Sequence, residues 1–135
     1  ELSSGDRSLY LAGLDDAWSG TPDLVAALAD NKDGSAVVLL VHEPDLGQAI
    51  ATGEAVWLLL AGHSHGGQVR FPGHGALVLP DYAHKYQQGL YPNGAGWIYV
   101  NRGLGTTSIP IRLGCRPEVT VMTLYPPQPN VLAAP

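Results

Sequence analysis

Residues 62–67, Gly-His-Ser-His-Gly-Gly, hold the densest chemistry in the chain, and their spacing fits two incompatible reactions. Read as Gly62-x-Ser64-x-Gly66, they match the nucleophile elbow of serine esterases, with Ser64 at the tip of a strand-to-helix turn. Read as Gly-His-x-His, they put two imidazoles, His63 and His65, at the end of an apolar run, where both can reach a metal ion. An elbow needs a helix directly after the serine, to aim the hydroxyl and offer its amino end to the oxyanion. Past His65 the chain runs Gly66-Gly67-Gln68-Val69-Arg70-Phe71-Pro72-Gly73, a poor helix and an acceptable strand. The remaining triad members are formally present as Asp81 and His84, but three residues apart is too close for the separate loops such groups occupy. The metal reading draws on more of the chain, because His42 ends another apolar run and makes a third imidazole. His74 and His84 read as ordinary polar residues.

Strands must position these groups. Residues 8–14, 36–41 and 56–61 are apolar runs that read as buried strands, ending in Asp15-Asp16, in His42-Glu43-Pro44-Asp45 and in the Gly62-His63-Ser64-His65 segment. Between the first two, Thr21 is placed to cap a helix with Pro22 at its first position and Leu24, Val25, Leu28 and Ala29 on its apolar face. Residues 31–34 stop that helix. A short helix over 46–51 leads through Thr52-Gly53 to the third strand, while Glu43, Pro44 and Asp45 shape the turn after His42. The order β-α-β-α-β, with strands apolar along their whole length, predicts a parallel sheet covered on both faces. Such a sheet gathers the carboxyl ends of its strands on one rim, and with them His42, His63 and His65.

Beyond Gly67 the pattern predicts short strands over 68–71 and 76–79, a helical turn over 81–88, and strands over 97–100 and 119–124. A glycine-rich loop, residues 101–105, follows the first of that last pair. Tyr82, Tyr86, Tyr91 and Trp97 read as core aromatics, and Arg70 and Arg102 as solvated charges. Cys115 is the single cysteine; it excludes an intramolecular disulfide and reads as inert and unpartnered. A chain of 135 residues, 45% hydrophobic with net charge -5, makes one globular domain with a real core and excludes a nucleic-acid partner, which needs clustered Lys and Arg. The apolar stretches are too short to span a bilayer, so a soluble chain is expected. The chain does not open with Met, which reads as a cut from something longer.

The series LAGLDD, LLVHEPD, LLLAGHSHGGQVRFP and NRGLGTTSIPIRLGCRPEVTVMTL closely resembles the carboxyl-terminal half of calcineurin-like metallophosphoesterases. It is nearest to the bacterial branch that includes membrane-associated phosphoesterases, and the likeness covers about residues 9–125. The resemblance implies an α/β fold with mixed sheets, part of a four-layer α-β-β-α sandwich. Residues 1–125 would be the carboxyl-terminal portion of that domain and 126–135 a proline-rich tail. It also implies metal-dependent hydrolysis of a phosphodiester or phosphomonoester at a dinuclear centre of Mn, Fe or Zn. By position His42 and His63 would bind one ion and His65 the other, with Asp16 and Arg70 behind the ligands or on the substrate. The substrate would be a phosphorylated small molecule or lipid.

The family's amino-terminal half carries D-x-H, G-D and G-N-H motifs, and none of these occurs here. Two cations in one centre repel, and a bridging carboxylate is what offsets this. The chain alone is therefore expected to hold at most one ion, and to need an amino-terminal half or a second copy to complete the site. A sheet lacking half its strands is also expected to leave an apolar face or edge open. The other two readings are a serine esterase built on Ser64 and a non-catalytic metal-binding or interaction module.

Overall fold

The structure, a computed structural model, describes residues 2–4, 7–50 and 56–125; the proline-rich tail over 126–135 and the Thr52-Gly53 link lie outside them. Its strands are β1 (Leu2–Ser4), β2 (Arg7–Gly13), β3 (Ala36–Leu40), β4 (Val56–Ala61), β5 (Arg70–Phe71), β6 (Gly75–Ala76), β7 (Gly89–Asn93) and β8 (Gly96–Val100). Helix α1 (Leu24–Leu28) joins β2 to β3, and α2 (Gly47–Ile50) lies between β3 and β4. Six strands form one mixed sheet in the order β1-β2-β3-β4-β8-β7, and β5 and β6 form a separate ribbon. Strands β2, β3, β4 and β8 run parallel, with β1 and β7 antiparallel at the two edges. The expected mixed α/β architecture is therefore present.

Side chains alternate across a strand, and here the two faces have different surroundings. One face carries Ala12, Val37, Leu39, Val41, Leu59, Ala61, Ile98 and Val100, all buried, with Ile50, Leu46, Leu24, Ala27 and Leu28 packed onto them. Helix α1 offers that face the spacing 24, 27, 28, so Val25, expected on the apolar side, points outward at 80% exposure. Its N-cap is Asp23, whose carboxylate accepts the Ala26 N–H at 2.9 Å. Aspartate is the better cap than the expected Thr21, and it moves the helix start past Pro22.

The reverse face contradicts the expectation of a sheet covered on both sides. Val38 and Leu58 are buried there, but Leu11, Leu40 and Trp97 are 46%, 42% and 45% exposed. The strand expected over 119–124 does not form: these residues pair with no strand, and Val119 and Val121 face outward. Strand propensity is a packing preference, and this segment has no neighbouring strand to satisfy it. It is held instead at the edge of the open face by side chains. The Tyr99 hydroxyl donates to Glu118, the Arg102 guanidinium pairs with the same carboxylate, and Asn101 Nδ2 donates to Thr120 at 3.1 Å. Leu60, Tyr99, Asn101, Thr120 and Met122 line a groove of about 330 Å³ there. The helical turn expected over 81–88 is also absent: that stretch is a chain of bends pinned by Asp45, which accepts the N–H groups of His84, Lys85 and Tyr86.

Candidate metal centre

Because β2, β3, β4 and β8 are parallel, the residues just past their ends emerge on one rim. Hydrogen bonds from Val41 N to the Leu60 carbonyl (3.0 Å) and from Gly62 N to the His42 carbonyl (3.2 Å) carry the pairing of β3 and β4 into that rim. Then the chain zigzags. His63 and His65 take left-handed φ values of 62° and 49°, with Ser64 at an ordinary helical -61° between them. The zigzag turns Ser64 inward and sends His63 to His42. Gly66 (φ 61°) must be glycine on two counts: its conformation, and the space a Cβ would need within 3.0 Å of Cys115 Sγ, Arg102 Cγ and Gln88 Oε1.

Ser64 is 1% exposed, and its hydroxyl donates to the Gln87 carbonyl at 2.6 Å while accepting the Gly66 N–H at 3.0 Å. Only a short 3-10 turn, His65–Gly67, comes after it. The hydroxyl is occluded and engaged in two hydrogen bonds, and among the described residues no longer helix follows it, so the nucleophile-elbow geometry is missing. Asp81 and His84 pair with each other at 4.0 Å on the surface.

His42 and His63 meet in a T-shaped contact, ring centroids 4.7 Å apart, with His63 Nδ1 3.1 Å from His42 Nε2. The other nitrogen of His63, Nε2, lies 2.9 Å from the Asp81 carbonyl. A carbonyl only accepts, so Nε2 carries the proton and the Nδ1 lone pair of the neutral ring faces His42. This is the second-sphere orientation by which metal-ligating histidines are held. Trp18 packs edge-on to His63 at 5.1 Å. Ligand atoms of His42, Glu43 and His63 lie within 4.8 Å of one another, and Glu43 is wholly buried. His65 stands outside that group. Burial, and then the positive charge of Arg112, push its imidazole below the ordinary value and so favour the neutral ring; its Nδ1 is buried with no partner. The facing imidazoles of His42 and His63 and an unsatisfied carboxylate oxygen of Glu43 are a donor set that fits divalent cations.

Asp16 is used by its own loop. Its carboxylate accepts the backbone N–H and hydroxyl of Ser19, which hold it below the usual range, with contacts to Glu43 and the Trp18 N–H adding to this. Arg70, read from sequence as solvated, is half-buried and donates to the Gly66 carbonyl and to Gln87 at about 3 Å. Arg102 is likewise half-buried and paired with Glu118. Cys115 is buried rather than unpartnered: its thiol donates to the His65 carbonyl at 3.3 Å. Tyr86 and Tyr91 pack against each other and the core, but Tyr82 and Trp97 are exposed. Two residues have surroundings that the sequence did not assign them. Gln68 clamps the 107–109 loop, exchanging hydrogen bonds with Thr107 and donating to the Ile109 carbonyl. Glu43, read as a turn residue, is instead sealed inside the rim; an acidic residue between an apolar strand end and a proline was the available signal.

No family model and no solved structure matches the chain. Among curated proteins it is 44% identical over 124 residues to the uncharacterized metallophosphoesterase YkuE of Bacillus subtilis, covering 91% of this chain and 43% of that protein. It is 35% identical over 123 residues to the phosphodiesterase YaeI of Escherichia coli, covering 91% and 44% respectively. A Bos taurus transmembrane protein with a metallophosphoesterase domain is 33% identical over 129 residues, covering 88% of this chain and 28% of that one. The matched parts are the carboxyl-terminal halves of these relatives. The chain spans less than half the length of each.

Proposed function

The chain belongs to the metallophosphoesterases, and on that premise we propose that it supplies the histidine ligands of a dinuclear centre that hydrolyses phosphodiesters. The observation that carries this reading is the His42–His63 contact, in which the Asp81 carbonyl fixes the tautomer that turns the Nδ1 lone pair toward His42 Nε2. His42 and His63 would hold one ion and the neutral His65 the other, either Mn, Fe or Zn. When bound, the metal pair supplies the Lewis acidity that polarises phosphoryl oxygens and the attacking water. The residues of this chain hold and orient. Asp81 locks the His63 ring, Asp45 pins the bends that carry Asp81, and Arg70 braces the Gly66 turn beneath His65. Asp16 would reach the centre only through its contact with Glu43. The relative named a phosphodiesterase supports the diester over the monoester.

The open face of the sheet supports an amino-terminal half as the partner, completing a four-layer domain whose carboxyl-terminal portion is residues 1–125. Relatives more than twice the length of the match leave room for it. The substrate is a phosphorylated small molecule or lipid. A lipid would bring the chain to a membrane surface, since among the described residues no helix is long and apolar enough to cross one.

The test is hydrolysis of bis(p-nitrophenyl) phosphate with added Mn, by this chain alone and with a relative's amino-terminal half supplied in trans. Turnover is expected only with both pieces, and loss of at least about 1000-fold on His63→Ala. Turnover by this chain alone, sensitive to Ser64→Ala, would overturn the reading in favour of an esterase. A dimer of this chain with full activity would assign the partner role to a second copy.

A further inference from the structure

We infer that Glu43 is a third protein ligand, so that His42, His63 and Glu43 together hold one divalent cation within this chain. The inference rests on the reading of the histidines above and adds a ligand to it. Glu43 is 0% exposed, yet no Lys or Arg pairs with it among the described residues. One carboxylate oxygen, Oε2, accepts the Ala17 N–H at 3.2 Å. The other, Oε1, is buried with no hydrogen-bond partner. A carboxylate withdrawn from water and left half-bonded is costly unless something supplies the missing positive charge.

Among the described residues no hydrogen bond reaches that oxygen. The neighbouring Asp16 is itself a carboxyl in contact with Glu43, and the Nδ1 atom of His63 presents a lone pair, as its bond to the Asp81 carbonyl dictates. The turn role expected for Glu43 does not use its side chain either: the 3-10 turn Pro44–Leu46 that it precedes receives no side-chain cap from it. One ligand atom from each of His42, Glu43 and His63 thus lies within a 4.8 Å group. A divalent cation satisfies all of them at once. Two imidazole nitrogens and one carboxylate oxygen suit Mn, Fe, Co or Zn better than Mg or Ca, which prefer oxygen alone.

The consequence is that this chain should bind one cation by itself, before any partner completes a dinuclear centre. Co(II) is the probe, because its visible spectrum reports ligand number and type. The unaltered chain, Glu43→Gln, Glu43→Asp and His63→Ala are titrated by absorbance and calorimetry, and the metal-free forms are compared by thermal unfolding. One Co(II) is expected for the unaltered chain. Glu43→Gln should fold at least as stably without metal, because its amide can donate to Asp16. It should bind about 100-fold more weakly with an altered spectrum, and Glu43→Asp should recover part of the loss. If Glu43→Gln keeps the original affinity and spectrum while His63→Ala loses binding, Glu43 is no ligand and the histidine reading stands. If the unaltered chain binds no Co(II), the three-ligand site within this chain falls, and turnover with the amino-terminal half supplied decides the histidine reading separately.

Discussion

On the helical face of the central sheet Leu39, Leu59 and Ile98 are fully buried beneath α1 and α2. On the reverse face Leu11, Leu40 and Trp97, drawn from the same strands, are close to half exposed. The residue types are alike, so composition does not separate the faces; what separates them is whether a second layer covers each. Among the described residues a helical layer covers one face and none covers the other. Exposed apolar side chains of this kind are what the proposed amino-terminal half would cover.

Substitution tests the contrast most directly. Leu59→Ala, on the sealed face, is expected to cost about 3 kcal/mol by denaturant unfolding, as cavity-forming changes do. Leu40→Ala, on the open face, should cost under about 1 kcal/mol. Equal costs would mean that the open face is covered in solution. Next in size, Leu40→Lys and Trp97→Lys should weaken binding of an amino-terminal half by about tenfold or more. The fold should stay within about 0.5 kcal/mol, and sedimentation would read the association.

The smallest effect concerns the segment tied along the open face. The Tyr99 hydroxyl, and then Arg102, hold the Glu118 carboxyl below its ordinary 4.5. Its contribution is therefore fully present above about pH 4.5 and is lost as pH falls through the depressed folded value. Glu118→Gln should remove that part of the acid sensitivity while costing less than about 1 kcal/mol at pH 7. Unchanged acid unfolding would detach residues 118–122 from the stability of the sheet.

How far the sequence could be read obeys the same division. Residues 36–41 and 56–61 were legible because a buried parallel strand needs an uninterrupted apolar run, and the histidines that end them were legible because parallel strands share a rim. Strand β7 was not, because Gly89 and Pro92 interrupt it; an antiparallel edge strand tolerates proline where a central one does not. The strand expected over 119–124 failed for the opposite reason, having the residues of a strand but no neighbour. Glu43 escaped because its neighbours in sequence, Pro44 and Asp45, look like a turn, whereas its burial comes from Ala17 and the loop beyond β2.

The backbone at the rim carries one more implication. His63 and His65 both occupy the left-handed region, which costs a side chain bearing a Cβ on the order of 1 kcal/mol and costs glycine little. Replacing either histidine with glycine is therefore expected to raise the melting temperature of the metal-free chain, even as it deletes a lone pair from the rim. Any search that rewarded folding alone would drift toward glycine at both positions and erase the centre. This loop holds its imidazoles against the preference of its own backbone.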